Sequence, residues 1–381
     1  MELKDLHEAL GGLDAKYVEE ALNYKRRRRR LLPAAATAAA CAALAIFAAW
    51  LLARPGSGEA APSLPLLELG DGFSGMGYEG YLAYDISELV SANPWSPELG
   101  LETLPVFKSG VSRDAYGRPA RGDEAKMRAR LIETARRFGI QEDELNIVSD
   151  GGSASAKARG ISFSVDCQLT VWADFETPAP LPEGYSFTHR SSTYADCEAA
   201  AEYLLAEYGE LLGMDEPRAD IYGGDYNIYG EQGYGIAFYD GGEGPVEDIL
   251  GFNFSRAVFY CNDAGELSGI RFYNYDLSQK LGDYPIIGPG EALELLCGGR
   301  YITSSPCEFP GRDSVRRAEL IYRTSGWDEN YMPYYRFYAE LPDTGNAEAE
   351  ALGLRNYAAY YVPAVAEGYL DALPLWEGGF N

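Results

Sequence analysis

From Asp123 onward the apolar positions fall into two alternating periods. "DEAKMRARLIETARRFGI" places Met127, Leu131, Ala135 and Phe138 at steps of three and four, which puts them on one face of a helix. "ADCEAAAEYLLAEYGELLGM" does the same with Cys197, Ala200, Ala201, Leu204, Leu205 and Leu211, and Ser191, Ser192, Thr193 and Asp196 before it supply N-cap chemistry. "GPGEALELLCGG" opens on Pro289 and closes on Gly298, so it predicts a short third helix. Each is followed by runs of period two. "GISFSVDCQLTVWADFE" alternates over Phe163 to Phe175, and "LGFNFSRAVFYCNDAGELSGIRFYNYD" reads as two strands around a turn at Asn262 to Gly265. "SVRRAELIYRTSG" and "YMPYYRFYAELPD" form another pair, followed by "YAAYYVPAV".

A helix followed by antiparallel strands, three times over, predicts an α+β architecture with each helix packed on one face of its sheet. The units run over 123–190, 191–288 and 289–381, the last with a C-terminal tail. "FGIQEDELNIVSD" (Phe138 to Asp150) aligns without gaps on "LGMDEPRADIYGG" (Leu212 to Gly224), pairing Gly139 with Gly213 and Ile147 with Ile221. That register points to a duplicated helix-plus-sheet unit with a third, diverged copy. The hairpin "YCNDAGELSGIRF", the entry "GPGEALELL" and the strand "AAYYVPAV" resemble the PepSY-like and YycH/YycI-like extracytoplasmic modules of Firmicutes membrane proteins. The resemblance implies a regulatory or binding module.

The N-terminal part has a different pattern. Residues 31–53 contain no charged side chain and follow Lys25 and the arginines Arg26, Arg27, Arg28, Arg29 and Arg30. At about 1.5 Å per residue such a segment crosses a hydrocarbon core of about 30 Å as one transmembrane helix, with Pro33 in its first turn and Trp50 near its far end. The basic run then acts as a topogenic signal, leaving residues 1–30 in the cytoplasm and the bulk of the chain outside. A cleavable leader ending at "EAAP" (Glu59 to Pro62) and a lipoprotein site at "AAAC" (Ala38 to Cys41) are the rival readings. Residues 54–70 read as a Pro/Gly/Ser-rich stalk, and 71–122 as an irregular lead-in with a short helix around Ile86 to Ser91.

Charge separates these readings from a nucleic-acid role. The chain is 381 residues long and 46% hydrophobic, and it carries 58 acidic against 32 basic side chains, a net of −26. Phosphate backbones repel such a surface, so five arginines beside an apolar span orient the chain and bind no nucleic acid.

The tail itself is amphipathic: Leu6, Leu10, Leu13 and Tyr17 share a helical face on a segment too short to bury it alone. That stripe needs a partner or the membrane surface. "ALGGLDAKYVEEAL", a basic run and one span resemble the N-termini of clostridial single-pass proteins, some of them similar to anti-sigma factors. The resemblance implies a cytoplasmic regulator, such as a sigma factor, as partner. The zinc-binding form of such tails needs His and Cys ligands, and His7 stands alone without a preceding Cys.

Catalytic chemistry is sparse. His189, in "SFTHRSSTYADC", is the single imidazole beyond the apolar segment, and no GxSxG elbow accompanies it. Cys167, Cys197, Cys261, Cys297 and Cys307 are odd in number and lack CxxC spacing; Cys297 and Cys307 are near enough for a loop-closing disulfide, reduced thiols being the alternative. Asp225, Glu231, Asp240, Glu243, Glu247 and Asp248 could hold calcium, though their spacing matches no known loop. Tyr222, Tyr226, Tyr229 and Tyr234 could form a platform for a glycan or peptide, or sit half-buried in a sheet. No Gly-rich phosphate loop sits between a strand and a helix, so no cofactor is expected. The pattern predicts a membrane-anchored, non-enzymatic protein that binds an unknown extracellular ligand. A cell-surface hydrolase around His189 and a structural envelope protein are the alternatives.

Overall fold

The computed structural model describes residues 64–69, 79–116, 118–343 and 345–376. The transmembrane reading of 31–53, the topogenic run Lys25 to Arg30 and the stripe Leu6, Leu10, Leu13 and Tyr17 lie outside them. Among the described residues no helix is long and apolar enough to cross a membrane.

In chain order the elements are β1 (Gly80–Ala83), β2 (Thr103–Lys108), β3 (Ser112–Arg113), β4 (Pro119–Arg121), α1 (Glu124–Arg137), β5 (Val148–Ser149), β6 (Ser153–Ala158), β7 (Ile161–Asp166) and β8 (Val171–Ala179). There follow α2 (Tyr194–Leu212), β9 (Pro217–Tyr226), β10 (Gln232–Asp240), α3 (Pro245–Phe254), β11 (Ser255–Cys261), β12 (Leu267–Asn274) and β13 (Lys280–Pro285). The chain continues through α4 (Pro289–Cys297), β14 (Val315–Tyr322), β15 (Asn330–Tyr331), β16 (Pro333–Glu340), α5 (Ala347–Leu352) and β17 (Arg355–Pro363).

Three helices stand where the periodicity puts them. Asp123 caps α1 by accepting from the Lys126 N–H, and Thr193 with Asp196 forms a reciprocal capping box on α2. The two helices end in the same manner, each with a glycine in the left-handed region, Gly139 and Gly213.

Among the described residues, separate repeated helix-plus-sheet units are not what the structure shows. Twelve strands form one sheet, in the order β14-β16-β17-β1-β9-β10-β11-β12-β8-β7-β6-β5, and every pairing in it is antiparallel. The physical reason is edge satisfaction. A separate meander leaves rows of unpaired N–H and C=O groups on its outer strands, and here those outer strands pair with each other, β8 with β12 and β1 with β17. The lead-in read as irregular supplies β1, which sits inside this sheet. It also supplies β2, the middle strand of a three-stranded sheet with β13 and β15.

The sheet has two limbs. In the first, β5 to β12, one face carries Phe163, Val171, Phe238, Phe259, Ile270 and Phe272 into a core closed by Met127 and Leu131 of α1 and Leu204 of α2. The opposite face is free of α1 and α2, and α3 packs on part of it through Phe252 against Tyr239. In the second limb, β1, β17, β16 and β14, the middle strands β16 and β17 are buried on both faces. Tyr335, Phe337, Tyr360 and Val362 meet α4 in one cluster, while Tyr334 and Tyr361 join Val106 and Tyr284 in another.

The limbs meet at a narrow seam. β1 and β9 pair through Leu82 and Tyr226 alone, reinforced by a bridge between Val90 and Gly223. Phe254, at the end of α3, pins the seam from the side, with its ring 4.9 Å from Tyr322 and 5.7 Å from Tyr331. The outer edge of β14 is closed by side chains: Asn93 donates to the Leu320 carbonyl, and the Tyr322 N–H donates to Asn253.

Candidate functional site

A cleft of about 550 Å³ opens along the seam, lined from both limbs. From the first limb come Tyr222, Asp225, Arg256, Tyr260 and Tyr273, and from the second Tyr81, Arg317, Tyr322, Arg336 and Tyr338. A second cavity of about 640 Å³ lies beside α2, and both share Leu89, Val90, Ser91 and Arg317 as lining.

Two glycines make the site possible. A Cβ on Gly224 would stand 1.9 Å from the Glu88 carbonyl, so only glycine lets the 88–90 segment close against β9 as a wall. A Cβ on Gly235 would meet the Tyr222 ring at 2.4 Å, so its absence leaves room for that ring to lie flat across β10.

Each arginine of the cleft is held from behind. Arg256 donates to Asp220 at 2.5 Å and stacks 4.7 Å from Tyr222 and 5.5 Å from Phe252. Asp220 is fully buried and also accepts the Ala92 N–H at 2.7 Å. Arg336 and Arg317 share Glu319. The first donates to it at 2.5 Å, and the Nε of the second lies 3.3 Å from it while its Nη1 donates to the Leu89 carbonyl. The register of β14 and β16 brings this about by setting Glu319 opposite Arg336 and Arg317 opposite Tyr338. Tyr338 lies under both guanidiniums, at 4.7 and 5.1 Å. The Nε–H groups of Arg256 and Arg336 are buried and find no acceptor.

The tyrosines are kept neutral. Burial, then the Glu79 carboxylate, pushes Tyr81 up to about 12. Burial, against the opposing pull of Arg256, takes Tyr222 up to about 12 as well. Tyr338 is raised further by burial. These phenols therefore offer O–H donors and ring faces and do not serve as bases near neutral pH.

His189 also lines the cleft, beside Asp225, whose carboxyl burial raises and the imidazole lowers. No hydrogen bond joins the two. Of the four tyrosines singled out from sequence, Tyr222 and Tyr234 reach the cleft. Tyr226 stacks edge-on against Tyr84 at 5.2 Å, and Tyr229 is exposed in the turn before β10.

The acidic residues do not converge. Asp240 accepts the N–H groups of Asp215 and Glu216, Asp248 pairs with Arg218 at 2.8 Å, and Glu231 accepts from Asn227. Glu243 precedes α3, and Glu247 lies in its first turn. Among the described residues no group of three metal-ligating side chains forms.

The structure does not join Cys297 and Cys307, and Cys167, Cys197 and Cys261 are likewise unbonded. The chain between them turns inward, burying Tyr301 to Ser305 and bridging Ile302 to Tyr361, which leaves the two sulfurs on separate exposed stretches.

The arginines and their carboxylates were missed in the sequence reading, yet each carries a signal. In "SRAVFY", "GIRFYNY" and "YYRFYAE" an arginine interrupts an aromatic strand, and a cation there needs a partner or a ring.

The fold and the cleft thus define a twelve-stranded antiparallel sheet, flanked by smaller ones, with a polar, ring-lined seam. Compared with protein families and with curated proteins, the chain matches none.

Proposed function

We propose that the chain is a non-enzymatic extracytoplasmic binding module whose ligand sits in the seam cleft. The observation that supports this most is the state of the polar groups there. The cations are already positioned by buried carboxylates and stacked rings, the phenols are neutral, and two buried Nε–H donors lack acceptors. A preformed polar cleft of this size suits recognition of a small molecule or of one unit of a larger one. The apolar segment 31–53 and the basic run before it would hold the module outside the cell membrane. The stripe Leu6, Leu10, Leu13 and Tyr17 would report occupancy to a cytoplasmic regulator such as a sigma factor.

Val258 lies on the cleft floor, and Val258→Trp fills it. In a thermal-shift screen of the full chain against small polar metabolites, the reading expects compounds that raise the melting temperature of the wild type and leave Val258→Trp unmoved. A screen in which every stabilising compound acts equally on both proteins overturns it.

One observation favours a second reading, a surface hydrolase: His189 and Asp225 face the same cleft. Turnover of a hydrolysable substrate lost on His189→Ala, with ligand binding retained, would select it over the first.

A further inference from the structure

Arg271, on the bare face of the first limb, differs from the other arginines beside the cleft. Its guanidinium lies 4.2 Å from the Trp172 ring, 5.5 Å from Tyr273 and 5.8 Å from Tyr260, and it donates to the Tyr273 hydroxyl at 2.8 Å. Among the described residues no carboxylate lies within ion-pair distance of it, whereas Arg256, Arg317 and Arg336 each hold one. Asp166, at the end of β7, feels the guanidinium's charge without pairing to it, and Asp174 on β8 leans over Gly269. Tyr260 and Tyr273 belong to the cleft lining, and Arg271 and Trp172 lie beside them, next to the cleft. Trp172 is half-buried and Tyr260 is exposed.

We infer that the ligand is an acidic saccharide, with a sugar ring lying on the Trp172–Tyr260–Tyr273 floor and its carboxylate taken by Arg271. The inference rests on the reading of the cleft as a binding site. Flat ring faces with phenolic donors at their rims suit a sugar's apolar face and its hydroxyls. A guanidinium with no carboxylate paired to it suits a ligand carboxylate; Nη1 is held by Tyr273 and Nε is buried, so Nη2 makes the contact. The charge count selects a monoanionic unit over a polyphosphate. The other three arginines face two carboxylates, Asp220 and Glu319, Asp225 adds a third, Asp166 acts on Arg271 through space, and the whole chain carries −26.

The test is calorimetric titration of the full chain with trigalacturonate, neutral trigalactose and inorganic phosphate. Trigalacturonate should bind about tenfold or more tighter than trigalactose, and phosphate should not displace it. Arg271→Gln should bring the acidic trimer down to the level of the neutral one, and Arg271→Lys should recover part of the difference. Thermal unfolding of both variants checks that the sheet is intact. Equal binding of the two trimers, or an Arg271→Gln protein that still separates them, overturns the inference and leaves the cleft reading standing. Displacement by phosphate at equal affinity overturns the saccharide class. Binding of neither trimer also overturns it, and the metabolite screen on Val258→Trp then decides the cleft reading separately.

Discussion

The two limbs of the sheet solve the burial problem differently. The first limb keeps period two: in β7 Phe163 and Val165 point into the core while their neighbours stay partly exposed. The middle strands of the second limb are covered on both sides, so that in β17 every residue after Arg355 is buried, and in β16 only Arg336 and Glu340 are not. A strand buried on both faces has nowhere to send a polar side chain except to a partner. The second limb answers Arg317 and Arg336 with Glu319; the first answers Arg256 with Asp220 and leaves Arg271 among rings without an ion pair.

If Phe254 joins the limbs into one body, Phe254→Ala should be the most damaging single change. It empties a site where the ring meets Phe107, Tyr275, Tyr322 and Tyr331, and should cost about 3–5 kcal/mol in denaturant unfolding. A loss below about 1 kcal/mol would mean that the limbs hold together without it. Glu319→Gln sharpens the contrast between limbs, because it strands two guanidiniums in a nearly closed site. The expected loss is about 3 kcal/mol, measured in the same way. An effect no larger than that of a surface pair would remove the distinction.

Much of the first limb was legible. Clean alternation, capping residues and the Asn262 to Gly265 turn mark α1, α2, β11 and β12. α3 was not, because "LGFNFS" is short, aromatic and reads as the start of a strand. β1 is four residues, and its place in the sheet depends on partners about 140 and 275 positions away, beyond the reach of local pattern. The cleft was half legible. Tyr222 and His189 stood out, whereas Arg256 finds Asp220 across 36 residues and Arg336 finds Glu319 across 17, through strand register alone.

Alkali should test the seam next. Tyr81, Tyr222 and Tyr335 are raised by burial to about 12, so the stability they contribute is complete below pH 10 and is lost as pH rises through 12. Absorbance titration should show these phenols ionising together with unfolding. Their ionisation in a folded chain near pH 10 would contradict the closed packing.

The smallest effect belongs to the first limb. Burial pushes the Asp276 carboxyl up, but hydrogen bonds from Lys126 and Ser278 outweigh it and hold the group at about 2. Its contribution is present above about pH 4 and is lost as pH falls toward 2. Because Lys126 is exposed, Asp276→Asn should cost only about 1 kcal/mol at neutral pH. A loss as large as that of Glu319→Gln would show that exposure does not separate the limbs.

Hydrogen exchange of the full chain, with and without the compound that stabilises it best, tests the seam as binding site most directly. The account expects new protection in β9, β11 and β12 together with β14 and β16, on both sides of the cleft. Protection confined to one limb, or lying away from the cleft, would contradict it.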